Sequence, residues 1–81
     1  MIKTLDEIYY RVLGEEIRRI RTDKRLSLSQ LSKLTGISRS QLDHYELGWN
    51  KIKKSNWKRI CEALEVSESI KVEVTIGFTK W

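Results

Sequence analysis

The chain has 81 residues, a length that favours a single domain with a thin hydrophobic core. Hydrophobic residues make up 40% and charged residues 33% of it, proportions that exclude an intrinsically disordered chain. The net charge of +5 suits a polyanionic partner, although charge alone does not distinguish this from an ordinary basic protein. A single cysteine, Cys61, excludes an internal disulfide, so we expect a reducing, cytoplasmic location.

Two classes of function are not expected. No apolar run approaches the roughly 20 residues that cross a bilayer, and the N-terminus does not have the pattern of a signal peptide, so no membrane partner is predicted. We do not expect an enzyme, because the sequence has one histidine, one cysteine, no phosphate-binding glycine loop and no cluster of metal ligands. We therefore predict no catalytic residue, no metal and no cofactor.

The first predicted helix extends from Leu5 to the region of residues 23–25. Thr4 and Glu7 have the spacing of a capping box at its start. Gly14 weakens its middle by roughly 1 kcal/mol relative to alanine, which allows a kink or a break there. The apolar residues that form one stripe at helical spacing are Leu5, Ile8, Tyr9, Val12, Leu13, Ile17 and Ile20.

Two short helices are predicted next. Ser27 with Gln30 forms a capping box, and Gly36 ends that helix because glycine readily adopts a left-handed backbone. Ser38 with Gln41 forms another capping box, and this helix runs to about Leu47 and stops at Gly48. Residues 49–54 form a basic loop. Ser55 then caps a last helix, whose apolar face consists of Trp57, Ile60, Cys61 and Leu64.

The end of the chain has the two-residue period of a β-strand. The alternating apolar residues are Ile70, Val72, Val74, Ile76 and Phe78. A lone strand leaves its backbone groups unpaired, so we expect it to pair with the same strand of a second copy and form a homodimer. Pairing with the N-terminal residues, or with another partner, remains an alternative. Trp81 and Phe78 are candidates to close the dimer interface.

Two short helices joined by a glycine turn are typical of a helix-turn-helix, in which the second helix enters the major groove of DNA. A plain helical bundle is the alternative. Residues 13–67 resemble the Cro/C1-type helix-turn-helix regulators of phages and bacteria. The resemblance rests on Ile17-Arg18-Arg19-Ile20-Arg21, Leu26-Ser27, Leu31-Ser32, Gly36-Ile37-Ser38, Glu46-Leu47-Gly48 and Ala63-Leu64-Glu65-Val66-Ser67.

The resemblance implies a mainly α fold, a lambda-repressor-like helix-turn-helix bundle of four to five helices, followed here by the C-terminal β-strand. We expect a DNA-binding domain over residues 1–68 and a dimerisation or partner-pairing element over residues 69–81. The resemblance also implies a structural ion pair between Arg21 and Glu46. Leu28 departs from the pattern, because many members have a glutamine there. It either packs beneath the turn or belongs to a protein-binding patch.

Helical geometry predicts which side chains of the third helix read DNA. Ile37, Leu42 and Tyr45 share the inward face. The candidates for base contacts on the other side are Arg39, Ser40, Gln41, Asp43 and His44. Arg39 is the best of them, because its guanidinium can bind the O6 and N7 atoms of guanine together.

Contacts to the DNA backbone are expected from two regions. The serines at the two helix starts are Ser27, Ser29 and Ser38, and the segment after the recognition helix supplies Asn50, Lys51, Lys53 and Lys54. Trp49 lies in this basic loop and either packs against the DNA backbone or stabilises the loop. Trp57 has the spacing of a core residue.

The predicted function is a sequence-specific, double-stranded-DNA-binding transcriptional regulator, a Cro-like repressor that acts by occluding its operator. The alternative is a protein-binding antirepressor or modulator of the same fold, whose partner is a repressor protein. Leu28, Asp43 and the unpaired strand suit that alternative. Salt-dependent binding to a random duplex distinguishes the two.

Overall fold

This computed structural model describes residues 5–67, and the side-chain surroundings of residues 7–67. These residues form four helices joined by short connections. The helices are α1 (Leu5–Asp23), α2 (Leu28–Thr35), α3 (Arg39–Glu46) and α4 (Lys54–Leu64). α3 packs against both α1 and α2, and α2 also packs against α4. The predicted mainly helical fold is confirmed for these residues. The predicted strand over residues 70–78, and Trp81, lie outside them.

The core draws on all four helices and on the connections between them. Leu13, Leu31 and Ile60 are completely buried, and Trp57 is 4% exposed, so its predicted core position is confirmed. Tyr9, Tyr10 and Leu28 are partly buried against this core. The other buried apolar residues are Ile17, Ile20, Ile37, Leu42, Tyr45, Ile52, Cys61 and Leu64.

The predicted capping box is complete at α2, whereas α3 has only the serine half of its predicted box. The Ser27 hydroxyl accepts a hydrogen bond from the Gln30 N–H at 3.0 Å, and the Gln30 side chain accepts from the Ser27 N–H at 2.7 Å. The Ser38 hydroxyl accepts from the Gln41 N–H at 3.1 Å. Each cap satisfies amide groups that the first turn of a helix leaves without an internal partner.

The predicted cap of α4 is wrong. Lys53 occupies the cap position and provides no side-chain cap, so Ser55 lies within the first turn of the helix. The apolar residues on either side explain this start. Ile52, just before the cap, and Trp57, four residues into the helix, are both buried in the core and hold the positions of a hydrophobic staple. Their burial fixes the start more strongly than a serine hydroxyl does.

Three of the four helices end with a residue in the left-handed backbone conformation and a pair of reversed hydrogen bonds, the Schellman motif. Gly48, where the sequence predicted that α3 stops, has φ 74°. Arg25 after α1 and Glu65 after α4 have φ 57° and 58° without being glycines. Gly36, with φ 74°, ends α2 through a single bond from its N–H to the Ser32 carbonyl at 2.9 Å.

Candidate nucleic-acid interface

The turn between α2 and α3 is fixed by two side chains of α2. The Ser32 hydroxyl donates to the Ile37 carbonyl at 2.6 Å. The Thr35 hydroxyl donates to the Leu31 carbonyl at 2.8 Å and accepts from the Ile37 N–H at 3.2 Å. The backbone of the turn therefore has its polar groups satisfied at Ile37, and the angle between the two helices is held by hydrogen bonds as well as by packing.

α3 lies with one face in the core and the other outward. Ile37, Leu42 and Tyr45 are 6%, 1% and 1% exposed, so the inward face is the one that the sequence predicted. Tyr45 also accepts a hydrogen bond through its hydroxyl from the Asn56 side chain of α4 at 2.8 Å. The sequence did not indicate this contact, because nothing in the spacing of Asn56 distinguishes it from a solvated residue.

The predicted base-contact residues occupy the outward side of α3 to different degrees. Arg39, Ser40 and Asp43 are exposed, whereas Gln41 and His44 are half-buried. Within residues 5–67, the guanidinium of Arg39 has no hydrogen-bond or ion-pair partner. In this part of the chain, none of its five N–H donors is occupied at the exposed start of the helix.

The structure brings Arg21 and Glu46 together in a two-pronged ion pair. Arg21 Nε lies 2.6 Å from Glu46 Oε2, and Arg21 Nη2 lies 3.0 Å from Glu46 Oε1. Arg21 Nη1 also donates to the Leu26 carbonyl at 2.7 Å. The side chains are only 11% and 4% exposed, and the hydrogen bond to Glu46 raises the pKa of Arg21 above its usual value. The pair ties α1 to the end of α3 and to the chain before α2.

The predicted phosphate-contact residues lie at three places. Ser27 and Ser29 are exposed at the start of α2, and Ser38 is exposed at the start of α3. Such helix starts present backbone N–H groups and the positive end of the helix dipole, both of which favour an anion. In the segment that follows α3, Lys51, Lys53 and Lys54 are exposed and Asn50 is half-buried. Lys54 begins α4 instead of ending a loop.

The segment after α3 contains an aromatic pair that sequence analysis did not predict. The rings of His44 and Trp49 lie 5.2 Å apart between centroids, tilted by 35°. The Trp49 N–H donates to the His44 carbonyl at 3.0 Å, and the Gly48 N–H donates to the Tyr45 carbonyl at 3.1 Å. In a Schellman motif, the residue after the left-handed glycine contacts a side chain of the last helical turn. Trp49 and His44 hold these two positions, so the glycine at position 48 could have indicated their contact.

Leu28, the departure from the family pattern, is partly buried and packs against the core. Of the two roles considered for it, the structure shows packing. The exposed apolar side chains on the described surface are instead Val12, Leu34, Leu47 and Trp49. Within residues 5–67, no three histidine, cysteine, aspartate or glutamate side chains are grouped for a metal ion. No helix of this part has the length and apolar character needed to traverse a bilayer.

Comparison with known proteins places the chain in a family. A family model described as a helix-turn-helix domain matches residues 12–70. Among curated protein sequences, no match was found.

Solved structures give three similar folds. The restriction-modification controller protein C.AhdI from Aeromonas hydrophila is 27% identical, with a TM-score of 0.74, over 76% of this chain and 94% of that one. An HTH_3 family transcriptional regulator from Vibrio cholerae is 25% identical, with a TM-score of 0.77, over 84% of this chain; the match spans 38% of that longer protein.

The third is the clp gene regulator ClgR from C. glutamicum, which shares the fold at 24% identity, with a TM-score of 0.77, over 93% of this chain and 94% of that one. These matches confirm the Cro/C1-type resemblance, and the chain belongs to the helix-turn-helix domain family.

Proposed function

We propose that this chain is a sequence-specific, double-stranded-DNA-binding transcriptional regulator that reads the major groove with α3. The observation that carries the proposal is the guanidinium of Arg39 on the exposed first turn of α3, which has no partner among residues 5–67. The first turn of the second helix is the part of a helix-turn-helix that faces base edges. Membership of the helix-turn-helix family and similarity to an HTH_3 family transcriptional regulator support the same function.

Base contacts are assigned by position along α3. Arg39 binds the O6 and N7 atoms of a guanine, and Ser40 binds a neighbouring base or phosphate. Asp43 and His44, one turn further on, flank the site; Asp43 accepts from a cytosine amino group or otherwise repels phosphate. Gln41 is half-buried at the edge of this face and contacts a base only where the groove wall comes close.

The DNA backbone is held on both sides of α3. The serine-capped start of α2, with Ser27 and Ser29, binds one phosphate through its backbone N–H groups, and Ser38 contributes at the start of α3. Asn50, Lys51, Lys53 and Lys54 hold the other strand. If about four phosphates are neutralised per subunit, log affinity falls against log salt with a slope near −4 per subunit.

A helix-turn-helix domain bound to its operator regulates most simply by blocking polymerase there. The proposal includes a homodimer built by the segment of residues 70–78 and, with it, a division into a DNA-binding unit over residues 1–68 and a pairing unit over residues 69–81. A dimer requires two half-sites about one helical turn apart. Sedimentation of the full chain and of Val74→Lys tests the homodimer. We expect the full chain to be a dimer and Val74→Lys to be a monomer. If both are monomers, the proposed pairing of residues 70–78 is wrong.

The main test is selection of bound sequences from a pool of randomised duplexes, followed by anisotropy titration at several salt concentrations. We expect an enriched, inverted-repeat motif, affinity that falls with salt, and a promoter blocked in transcription when the motif overlaps it. Binding without enrichment contradicts sequence-specific reading, and absence of salt-dependent binding to any duplex contradicts the proposal as a whole.

The protein-binding alternative is favoured by one observation, the exposed apolar side chains. Leu34 is 61% exposed on α2, and Trp49 is 68% exposed after α3. An antirepressor or modulator would use such residues to bind a repressor protein, in place of DNA. Duplex titration distinguishes the two functions, because a protein binder shows little salt-dependent affinity for DNA.

A further inference from the structure

Trp49 is the most exposed of the large apolar side chains on the described surface, at 68%. Burial of an exposed indole against a partner is favourable, and aromatic side chains are enriched at protein interfaces. Its neighbours along the chain, from Leu47 to Ser55, include Lys51, Lys53 and Lys54 and no acidic residue. A polyanion therefore suits this segment better than a neutral or basic protein surface does.

Contacts fix the backbone on both sides of Trp49. Its backbone N–H donates to the His44 carbonyl, and its ring packs on the His44 ring. Gly48 beside it is pressed against α1, since a Cβ atom there would lie 2.5 Å from Arg11 Cα. Ile52, three residues later, is 4% exposed and anchors the segment in the core. Because the backbone here is already fixed, a ligand that binds this indole loses little conformational entropy in ordering the segment, which favours binding.

Trp49 also lies at the end of the outward side of α3. His44, which it contacts, lies one helical turn beyond Ser40 on that helix, so the two rings extend the row of candidate base-contact residues. Trp49 also lines a groove of about 640 Å³ against α1, whose charged lining residues are Glu7, Arg11, Glu15, Arg18 and Glu46. The mixed charges make the α1 side of this groove a poor match for a polyanion.

We propose that Trp49 contacts the sugar-phosphate backbone of DNA, with its ring packed against a deoxyribose and its indole N–H donated to a phosphate oxygen. The inference rests on the proposed function, since it names a further DNA contact of the same surface. The contact carries no base information and no formal charge. It therefore adds affinity for every sequence and leaves the salt dependence unchanged.

The test uses the full chain, a duplex selected by it and a random duplex of equal length. We expect Trp49→Ala to weaken binding to both duplexes by the same factor, about tenfold, with an unchanged salt slope. Trp49→Phe keeps a ring at the position and should lose much less. Leu34→Ala, which removes another exposed apolar side chain, is the matched control and should leave both affinities unchanged. Thermal unfolding checks that each variant remains folded.

A second measurement observes the side chain directly. Acrylamide quenching of the full chain, minus that of Trp49→Phe, isolates the fluorescence of Trp49, and saturating duplex should protect it. Protection in the wild type together with the uniform loss in Trp49→Ala supports the contact.

Three outcomes overturn the contact. If the wild type binds duplex while Trp49 stays open to acrylamide and its loss changes nothing, the contact is wrong, the DNA-binding function stands, and a protein partner becomes the occupant of the indole. If the loss is confined to the selected duplex, Trp49 acts by positioning His44. If the wild type binds no duplex, the proposed function fails and the contact with it.

Discussion

Gly14 of α1 lies directly against the end of α3: a Cβ atom at this position would be 2.7 Å from the carbonyl oxygen of Glu46. Gly48 repeats the arrangement from the other side, against the backbone of Arg11. Two glycines thus allow α1 and the end of α3 to approach closely, and the Arg21–Glu46 pair closes the same interface. The proposed recognition helix is positioned by backbone contacts as much as by its apolar side chains.

Gly14→Ala should lower the free energy of unfolding by about 2 kcal/mol, although alanine favours a helix by about 1 kcal/mol. The added methyl group meets backbone carbonyls, which cannot rotate away as a side chain can. Urea unfolding measures the change. Gly36→Ala is the control, because its Cβ has nothing within 4 Å and only the left-handed backbone is strained. A stabilised Gly14→Ala would show that the helices can separate at no cost.

Glu46→Ala should lower the free energy of unfolding by about 3–5 kcal/mol, because the guanidinium of Arg21 is left buried without its carboxylate. The double variant Arg21→Met with Glu46→Leu should recover most of this loss, since it buries no charge. It should not recover all of it, because the Leu26 carbonyl loses the donor at 2.7 Å. A loss below about 1 kcal/mol for the single variant, as at an exposed pair, would contradict the burial.

Glu65→Gly should raise the free energy of unfolding by about 1 kcal/mol. Glu65 ends α4 with φ 58°, a conformation in which the Cβ of an L-residue is crowded and a glycine is not. Glu62→Gly, at an exposed position inside the same helix, is the matched control and should lose about 1 kcal/mol. Thermal denaturation of both variants gives the comparison. A change of the same sign in the two would refute the conformational explanation.

Arg39→Ala should reduce discrimination at one base pair by about 1–3 kcal/mol, because a two-pronged contact to guanine is lost. Lys53→Ala should instead weaken binding to all sequences alike and reduce the salt slope by about 1. Competition titrations with single-base variants of a selected duplex separate the two effects. Uniform weakening by Arg39→Ala would assign this side chain to a phosphate.

Local chemistry was sufficient to predict the segments around the turn. Ser27 and Ser38 cap their helices and Gly36 and Gly48 end theirs, because these preferences depend on a few neighbouring backbone groups. The same reasoning failed at Ser55. The start of α4 follows the burial of Ile52 and Trp57, as Leu26 with Leu31 and Ile37 with Leu42 occupy the same pair of positions at α2 and α3. The apolar pair Ile52 and Trp57 therefore indicates the start of α4 better than Ser55 does.

The amino-acid sequence alone determined the helices, their inward faces and the helix-turn-helix family, since these depend on local spacing and on motifs along one segment. Tertiary structure decided the rest. It showed that α1 continues unbroken through Gly14, which serves a close helix contact, that Leu28 packs inward, and that the His44 ring contacts the Trp49 ring. In each case the contact joins residues of different elements or residues on the two sides of a turn. The periodicity of one helix identifies its buried face, but it does not identify which residue of a neighbouring helix that face contacts.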